Sequence, residues 1–359
     1  MSLQEEIAKY RQEIKSERMD MSFGEIINMY KDREIIISPA YQRAFRWDEK
    51  RQSDFIESIL LGIPFPSIFV AANPDGKWEL IDGLQRISTV LSFFGELKDE
   101  NGKPYEKNGL VLQEGSMIKK MKGLTIDTLP LEYKLQIKRT PCRVEVVLKE
   151  SNFEMRYELF KRLNTGGEGL SRQEMRNCIF RGIDNKYNEF VCELAKNEEF
   201  RELVPVRISE ANKMYYEELV LRYLTLKNSG TRYKQANIQD YMDDYLKKQC
   251  YNFDPSSVEQ DREIFYKIIH LLSELAEYDI FKLGKRYFTT SMYDSIMLSL
   301  ATVKDIYDID VETLALRIEE LKKNERFNQY IGSASSNPTS ITNKVKIAKA
   351  ILIDYGKND

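Results

Sequence analysis

Hydrophobic positions recur along this chain at two periods, and the change of period divides it. Between residues 34 and 150, short β-branched and aromatic runs alternate with stretches at helical spacing. EIIISP (34–39), SIFVAA (67–72), WELI (78–81) and CRVEVVLKE (142–150) read as strands. NPDG (73–76) reads as the turn of a hairpin between the second and third of these. YQRAFRW (41–47) continues extended after the first. Helical spacing appears over Phe23–Tyr30, over about Glu49–Leu61 behind an Asp48 cap, and from Leu84, with Ile87, Val90, Leu91 and Phe94 on one face. Gly62 and Pro64 close the second of these. Residues 95–140 are polar, with NGK and KNG turns, and are expected to form an excursion holding a small hairpin and a helix. A helix over Phe153–Leu163 breaks at NTGGEG (164–169). A new one begins at a capping box of Ser171 and Glu174 and runs to about Arg181.

Beyond about residue 185 the strand signals stop. Residues 185–359 read as six or seven helices, broken near 204–206, 227–233, 252–257, 283–287 and 333–340. Residues 1–19 read as a solvated helix. The expected organisation is thus an N-terminal helix (1–19), an α+β domain with a small mixed sheet (20–185) and an all-α helical domain (186–359).

Composition narrows the function classes. A chain of 359 residues with 42% hydrophobic and 31% charged residues has material for two cores. A net charge of −3 excludes a globally basic nucleic-acid binder and leaves room for a local basic patch. Cys142, Cys178, Cys192 and Cys250 lack zinc-knuckle spacing and a disulfide framework, which suits a reducing cytoplasm. The N-terminus has no signal-peptide core, and no apolar run approaches the roughly 18 residues that span a bilayer. The single histidine, His270, lies in the apolar helix YKIIHLLSELAEY and reads as structural. Hydrolases and metal nucleases that need a catalytic histidine are therefore not expected.

Three stretches carry candidate chemistry. In Asp82-Gly83-Leu84-Gln85-Arg86 a strand turns through glycine into a helix, whose first N–H groups can bind an anion. An arginine in a first turn opposes the helix dipole, and a phosphate there would reverse that. The plain alternative is Asp82 as a cap with Arg86 in solvent. In YQRAFRW, an extended chain puts Tyr41, Arg43, Phe45 and Trp47 on one face, so Arg43 needs a carboxylate, an aromatic stack or a ligand. In FKRLNTGGEGLSRQEMRN (160–177), Asn164 and the glycines could form a backbone nest, with Arg162, Arg172 and Arg176 adding positive charge. The alternative is a glycine-stopped helix followed by a capped one.

The set PAYQRAFRW, FIESILLGIPFPSIFVA, WELIDGLQRISTVLSFF and FKRLNTGGEGLSRQEMRN, in this order and spacing, resembles the N-terminal domain of the GmrSD type IV restriction enzymes. The resemblance spans about residues 20–185 and implies a ParB/sulfiredoxin-like fold. It implies a domain that binds, and often hydrolyses, a nucleoside triphosphate through an Asp-Gly-Gln-Gln-Arg motif. Here Asp82, Gly83, Gln85 and Arg86 match that motif, and Leu84 replaces its first glutamine. In chain order, Tyr41, Gln42 and Arg43 match the family's first motif, Asp82 to Arg86 stand as its second, and Asn164, Gly167, Leu170 and Ser171 match a third. Relatives often end in a histidine-dependent HNH nuclease, which is not expected in a chain with His270 alone.

What the resemblance implies is a nucleotide-dependent, DNA-associated defence or sensor protein of the cytoplasm. Arg86 would hold phosphates, with Tyr41, Gln42, Arg43, Gly83, Asn164, Gly167 and Ser171 lining the nucleotide. Asp82 would bind Mg²⁺ or position water, and Gln85 would orient water. GTP or ATP with Mg²⁺ is the expected ligand. The helical domain would engage DNA or a partner effector, and self-association is open. The alternatives are a binding module without turnover, which Leu84 favours, and a direct Mg²⁺-dependent nuclease.

Overall fold

The structure is a computed structural model of the full chain. It describes every residue except 1, 14, 38–44, 74, 100–101, 107, 149–157, 160–161, 164–170, 182–184, 212, 285–287, 333 and 355–359. The chain divides into two compact units, Met1–Ile179 and Phe180–Asp359.

The first unit is α+β. Its elements are α1 (Leu3–Glu13), β1 (Ser16–Ser22), α2 (Phe23–Lys31), β2 (Ile35–Ile36), α3 (Glu49–Leu61), β3 (Ile68–Ala72), β4 (Trp78–Asp82), α4 (Leu84–Phe93), α5 (Leu131–Arg139), β5 (Pro141–Val147) and α6 (Arg172–Arg181). The five strands form one mixed sheet in the order β1-β5-β3-β4-β2. β1 and β4 pair antiparallel with β5 and β3, while β3–β5 and β2–β4 are parallel. Val70, Leu80, Ile81 and Val144 of the sheet are fully buried with Ile56, Ile87, Leu91 and Phe93 of α3 and α4. This is the small mixed sheet with covering helices that the alternating and helical periods describe.

Local signals account for the helix starts. Ser22 accepts the Glu25 N–H at 3.1 Å to cap α2, and Asp48 accepts the Arg51 N–H at 2.8 Å to cap α3. Across the expected hairpin turn, the Gly76 N–H donates to the Asn73 carbonyl. The polar excursion is fastened from below by one buried carboxylate. Glu57 of α3 accepts the N–H groups of Ser116 (3.0 Å), Met117 (2.8 Å) and Ile118 (2.5 Å). Burial raises the Glu57 pKa, but the three N–H donors outweigh it and hold the carboxyl below its ordinary value. A Cβ on Gly115 would fall 2.2 Å from Glu57 Oε1, so that approach requires glycine.

Two expectations need correction. Residues 1–19 are not one helix: α1 ends at Glu13, and Ser16–Ser22 form edge strand β1. SERMDMS escapes a strand reading because one face of an edge strand is solvated and charged. The second unit also has more helices than six or seven. Among its described residues lie ten α-helical segments: α7 (Lys186–Ala195), α8 (Glu198–Leu203), α9 (Ile208–Ala211), α10 (Tyr215–Ser229), α11 (Ile238–Tyr251), α12 (Pro255–Ser273), α13 (Thr290–Leu300), α14 (Val311–Lys323), α15 (Glu325–Asn328) and α16 (Pro338–Leu352). The extra segments are pieces of one or two turns, too short to give a periodic signal.

The second unit is held by an aromatic core around Phe200, Phe265, Phe281 and Tyr293, and by buried polar groups. Arg222 of α10 donates two bonds of 2.7 Å to Asp294 of α13. Lys344 of α16 donates to Ser291 Oγ and the Ser335 carbonyl, both at 2.8 Å. Burial pushes the Lys344 pKa down to about 8, against the pull of Asp294. His270 is exposed and faces Glu199 at 3.1 Å. Among the described residues no helix is long and apolar enough to cross a membrane.

Candidate functional site

The site begins where β4 ends. Asp82 is the last residue of β4, Gly83 turns the chain, and Leu84 opens α4. Gly83 has φ +97°, and a Cβ there would lie 2.5 Å from Ile68 Cγ2. Backbone conformation and close approach both demand glycine. Gly83 is also the N-cap, and no side chain caps α4. The strand–glycine–helix junction is thus built as expected, with Asp82 not acting as the cap.

Asp82 instead pairs with Arg86. Its Oδ2 accepts from Arg86 Nη2 at 2.7 Å. Arg86 Nη1 donates to the carbonyls of Pro66 and, at 3.0 Å, Ser67, at the entrance to β3. The Arg86 side chain is only 12% exposed, against 33% for Asp82. This supplies a reason for an arginine in the first turn that local sequence does not show: its partners are the residue before the turn and two carbonyls that lead into the neighbouring strand. Behind it, burial pushes the Cys142 thiol up to about 11, with Arg86 pulling the other way. Cys142 is fully buried, which makes it a packed thiol.

Gln85 reaches the first motif. Its Oε1 accepts the backbone N–H groups of Arg46 and Trp47, each at 3.0 Å. Both lone pairs of that oxygen are committed to holding residues 46–47 onto α4. Phe45 is buried in the core and Trp47 packs edge-on to Phe55, which anchors the same segment from its other side.

Arg46 then reaches the third motif. Its Nη2 lies 3.3 Å from Glu174 Oε1, and the Glu174 side chain is fully buried. Glu174 Oε2 accepts the Ser171 N–H at 2.6 Å while Ser171 Oγ accepts the Glu174 N–H at 3.1 Å. This is the expected capping box, and its glutamate also bridges the α6 N-terminus to Arg46. Arg176, expected to bring positive charge to the region, is fully buried and donates to Gln173 at 3.1 Å.

Three sequence motifs separated by about 40 and 90 residues therefore converge through two side chains, Gln85 and Glu174. Asp82, Gly83, Gln85, Arg86 and Ser171 belong to this set. Tyr41, Gln42, Arg43, Asn164, Gly167 and Leu170 lie outside the described residues. Sequence reasoning missed Arg46 and the bridging role of Glu174. Alternation placed Arg46 on the face opposite Arg43, and the capping box already accounted for Glu174.

The arrangement offers an uncapped helix N-terminus, a partly exposed carboxylate and a rigidly held guanidinium. Leu84, where the resemblance expects glutamine, is buried in the core. Among the described residues no three His, Cys, Asp or Glu side chains gather to hold a metal. The second unit has an open groove of about 650 Å³ lined by Asp305, Asp308, Asp310, Arg317 and Lys349, with charges of both signs and no comparable convergence of motifs.

Comparison with known proteins places one family on this part of the chain. Residues 23–181 match the family model described as GmrSD restriction endonuclease, N-terminal domain. No curated protein and no solved structure matches the chain.

Proposed function

We propose that this chain, whose residues 23–181 match the GmrSD restriction endonuclease N-terminal domain, is a restriction-related defence protein with a nucleoside triphosphate-binding site centred on the Asp82–Arg86 junction. The observation that carries this reading is the convergence of the three motifs on an uncapped helix N-terminus. The phosphates lie at the first turn of α4, where helix N–H groups and the Arg86 guanidinium favour negative charge. Arg86 is already aimed by the Pro66 and Ser67 carbonyls, so little side-chain entropy is lost on binding.

One carboxylate at the mouth fits Mg²⁺ only as an ion that arrives with phosphate, held by Asp82 and phosphate oxygens. Such an ion would supply positive charge against the phosphate oxygens. Asp82 has one oxygen engaged by Arg86 and is the more exposed partner, which suits it to that contact. The helical unit serves DNA or an effector protein.

A second reading, binding without turnover, is favoured by a specific observation. The glutamine of the expected motif is replaced by a buried leucine, and the carbonyl oxygen of Gln85 is occupied by two backbone donors. Among the described side chains of the motif, Asp82 is then the acceptor left to align water. Phosphate release from GTP and ATP, with and without DNA, separates the readings. Release abolished by Asp82→Ala in a folded protein supports turnover; binding with no release supports the second reading.

A further inference from the structure

β1 is an edge strand with an unusual property: its exposed edge is self-complementary in one register. It pairs with β5 from Ser16 through Ser22 without a bulge, and contains no proline. Long, regular, uncovered edges invite pairing with another strand. β1 also lies just before the residues that match the family model.

The hydrogen-bond parity fixes which residues face outward. The Phe23 N–H donates to the Thr140 carbonyl and the Leu148 N–H to the Lys15 carbonyl. With the register Met19↔Val144, odd-numbered residues of β1 thus turn their backbone groups toward β5. Arg18 and Asp20 turn theirs outward. Their side chains share the solvent face, where Arg18 pairs with Glu145 at 2.8 Å and Asp20 with Arg143 at 3.1 Å. The side chain of Arg18 is 75% exposed and that of Asp20 56%, and among the described strands β5 alone pairs with β1.

An antiparallel copy of β1 added to this edge must oppose outward residues to outward residues. Sliding it by two residues either way sets Arg18 against Arg18 or Asp20 against Asp20. The register centred on Met19 sets Arg18 against Asp20 twice. Each sheet already runs Glu145–Arg18 and Arg143–Asp20, so this register continues both rows with alternating sign across the junction. Cross-strand pairs of opposite charge stabilise and like pairs destabilise. Met19 and Met21, which pack against the core from the other face, extend that apolar face across the junction.

We propose that β1 is a homodimerisation edge, joining two copies of this chain through an antiparallel β1–β1 pair centred on Met19. The partner is chosen by charge complementarity: a neutral or differently charged strand gains the backbone bonds but not the four alternating charges in each row.

The test uses the full chain. Met19 opposes its own copy across the dyad at a non-hydrogen-bonded position, where Cα atoms are about 4.5 Å apart and a disulfide can close. Met19→Cys should give a disulfide-linked dimer under mild oxidation, with the wild-type chain as the blank for its native cysteines. Glu17→Cys, roughly 14 Å from its own copy in this register, should not. Sedimentation velocity supplies the second arm. Asp20→Arg and Arg18→Asp should each weaken dimerisation at least about tenfold, and an equimolar mixture of the two should restore it as a heterodimer. A wild-type chain that sediments as a monomer at about 100 μM, in the range set by weak edge contacts, overturns the proposal. So does equal cross-linking of Glu17→Cys, or a mixture that stays monomeric.

Discussion

Gln85→Met is the sharpest test of how the site is assembled. The substitution keeps side-chain length and removes the whole amide, including its carbonyl oxygen. That oxygen accepts two N–H groups, from Arg46 and Trp47, at 3.0 Å each. A buried donor left without a partner costs about 1–3 kcal/mol. Both donors here are only partly buried, so the lower end applies and the expected loss is about 2–3 kcal/mol for the pair. In a unit of this size that lowers the melting temperature by roughly 5–10 °C. Gln85→Glu keeps the acceptor and should lose less than about 1 kcal/mol. Thermal unfolding reads the total, and amide hydrogen exchange reads the place. Exchange at Arg46 and Trp47 should accelerate about thirtyfold in Gln85→Met, the factor that 2 kcal/mol gives, with little change in Gln85→Glu. If Gln85→Met melts with the wild type and those two amides exchange as before, the side chain does not hold the first motif onto α4.

Other consequences follow from particular contacts. Gly83→Ala must place a Cβ 2.5 Å from Ile68 Cγ2 at φ +97°, and should destabilise the first unit by roughly 2–4 kcal/mol in urea unfolding. Arg222→Met leaves Asp294 buried without its two-bond partner and should cost about 3–5 kcal/mol by denaturant titration, more than the double change Arg222→Met/Asp294→Leu. Lys344 has a folded pKa near 8, below its ordinary 10.5, so between these values the unfolded chain holds more protons. Stability therefore rises with pH through that window, by about 1.5 kcal/mol from pH 8 to 9.5, and the rise should vanish in Lys344→Met.

How far the sequence could be read depends on where each partner lies. α3 and its Asp48 cap, the β3–β4 hairpin and the Ser171–Glu174 box are legible because their signals lie within a few residues of each other. β1 is not, since all of its residues but Met19 and Met21 are charged or serine, and they imitate the solvated helix before them. Arg86 shows the same limit at the site. The helix dipole correctly marks it as misplaced, and a phosphate is one remedy. The remedy the fold supplies comes from Asp82 and from carbonyls twenty residues away that only the β3–β4 pairing brings near. Gln85 reads as a group for water because its motif suggests chemistry. Its observed partners are backbone N–H groups, which carry no sequence signature at all.

The central claim is that the Asp82–Arg86 junction binds a nucleoside triphosphate. Isothermal titration of Mg-GTP and Mg-ATP into the full chain, beside Arg86→Ala checked for folding by circular dichroism, tests it directly. Saturable one-to-one binding by the wild type, weakened about ten- to hundredfold in Arg86→Ala by loss of a charge-assisted contact, is the predicted result. No binding of either nucleotide by the folded wild type, or equal affinity in Arg86→Ala, contradicts it.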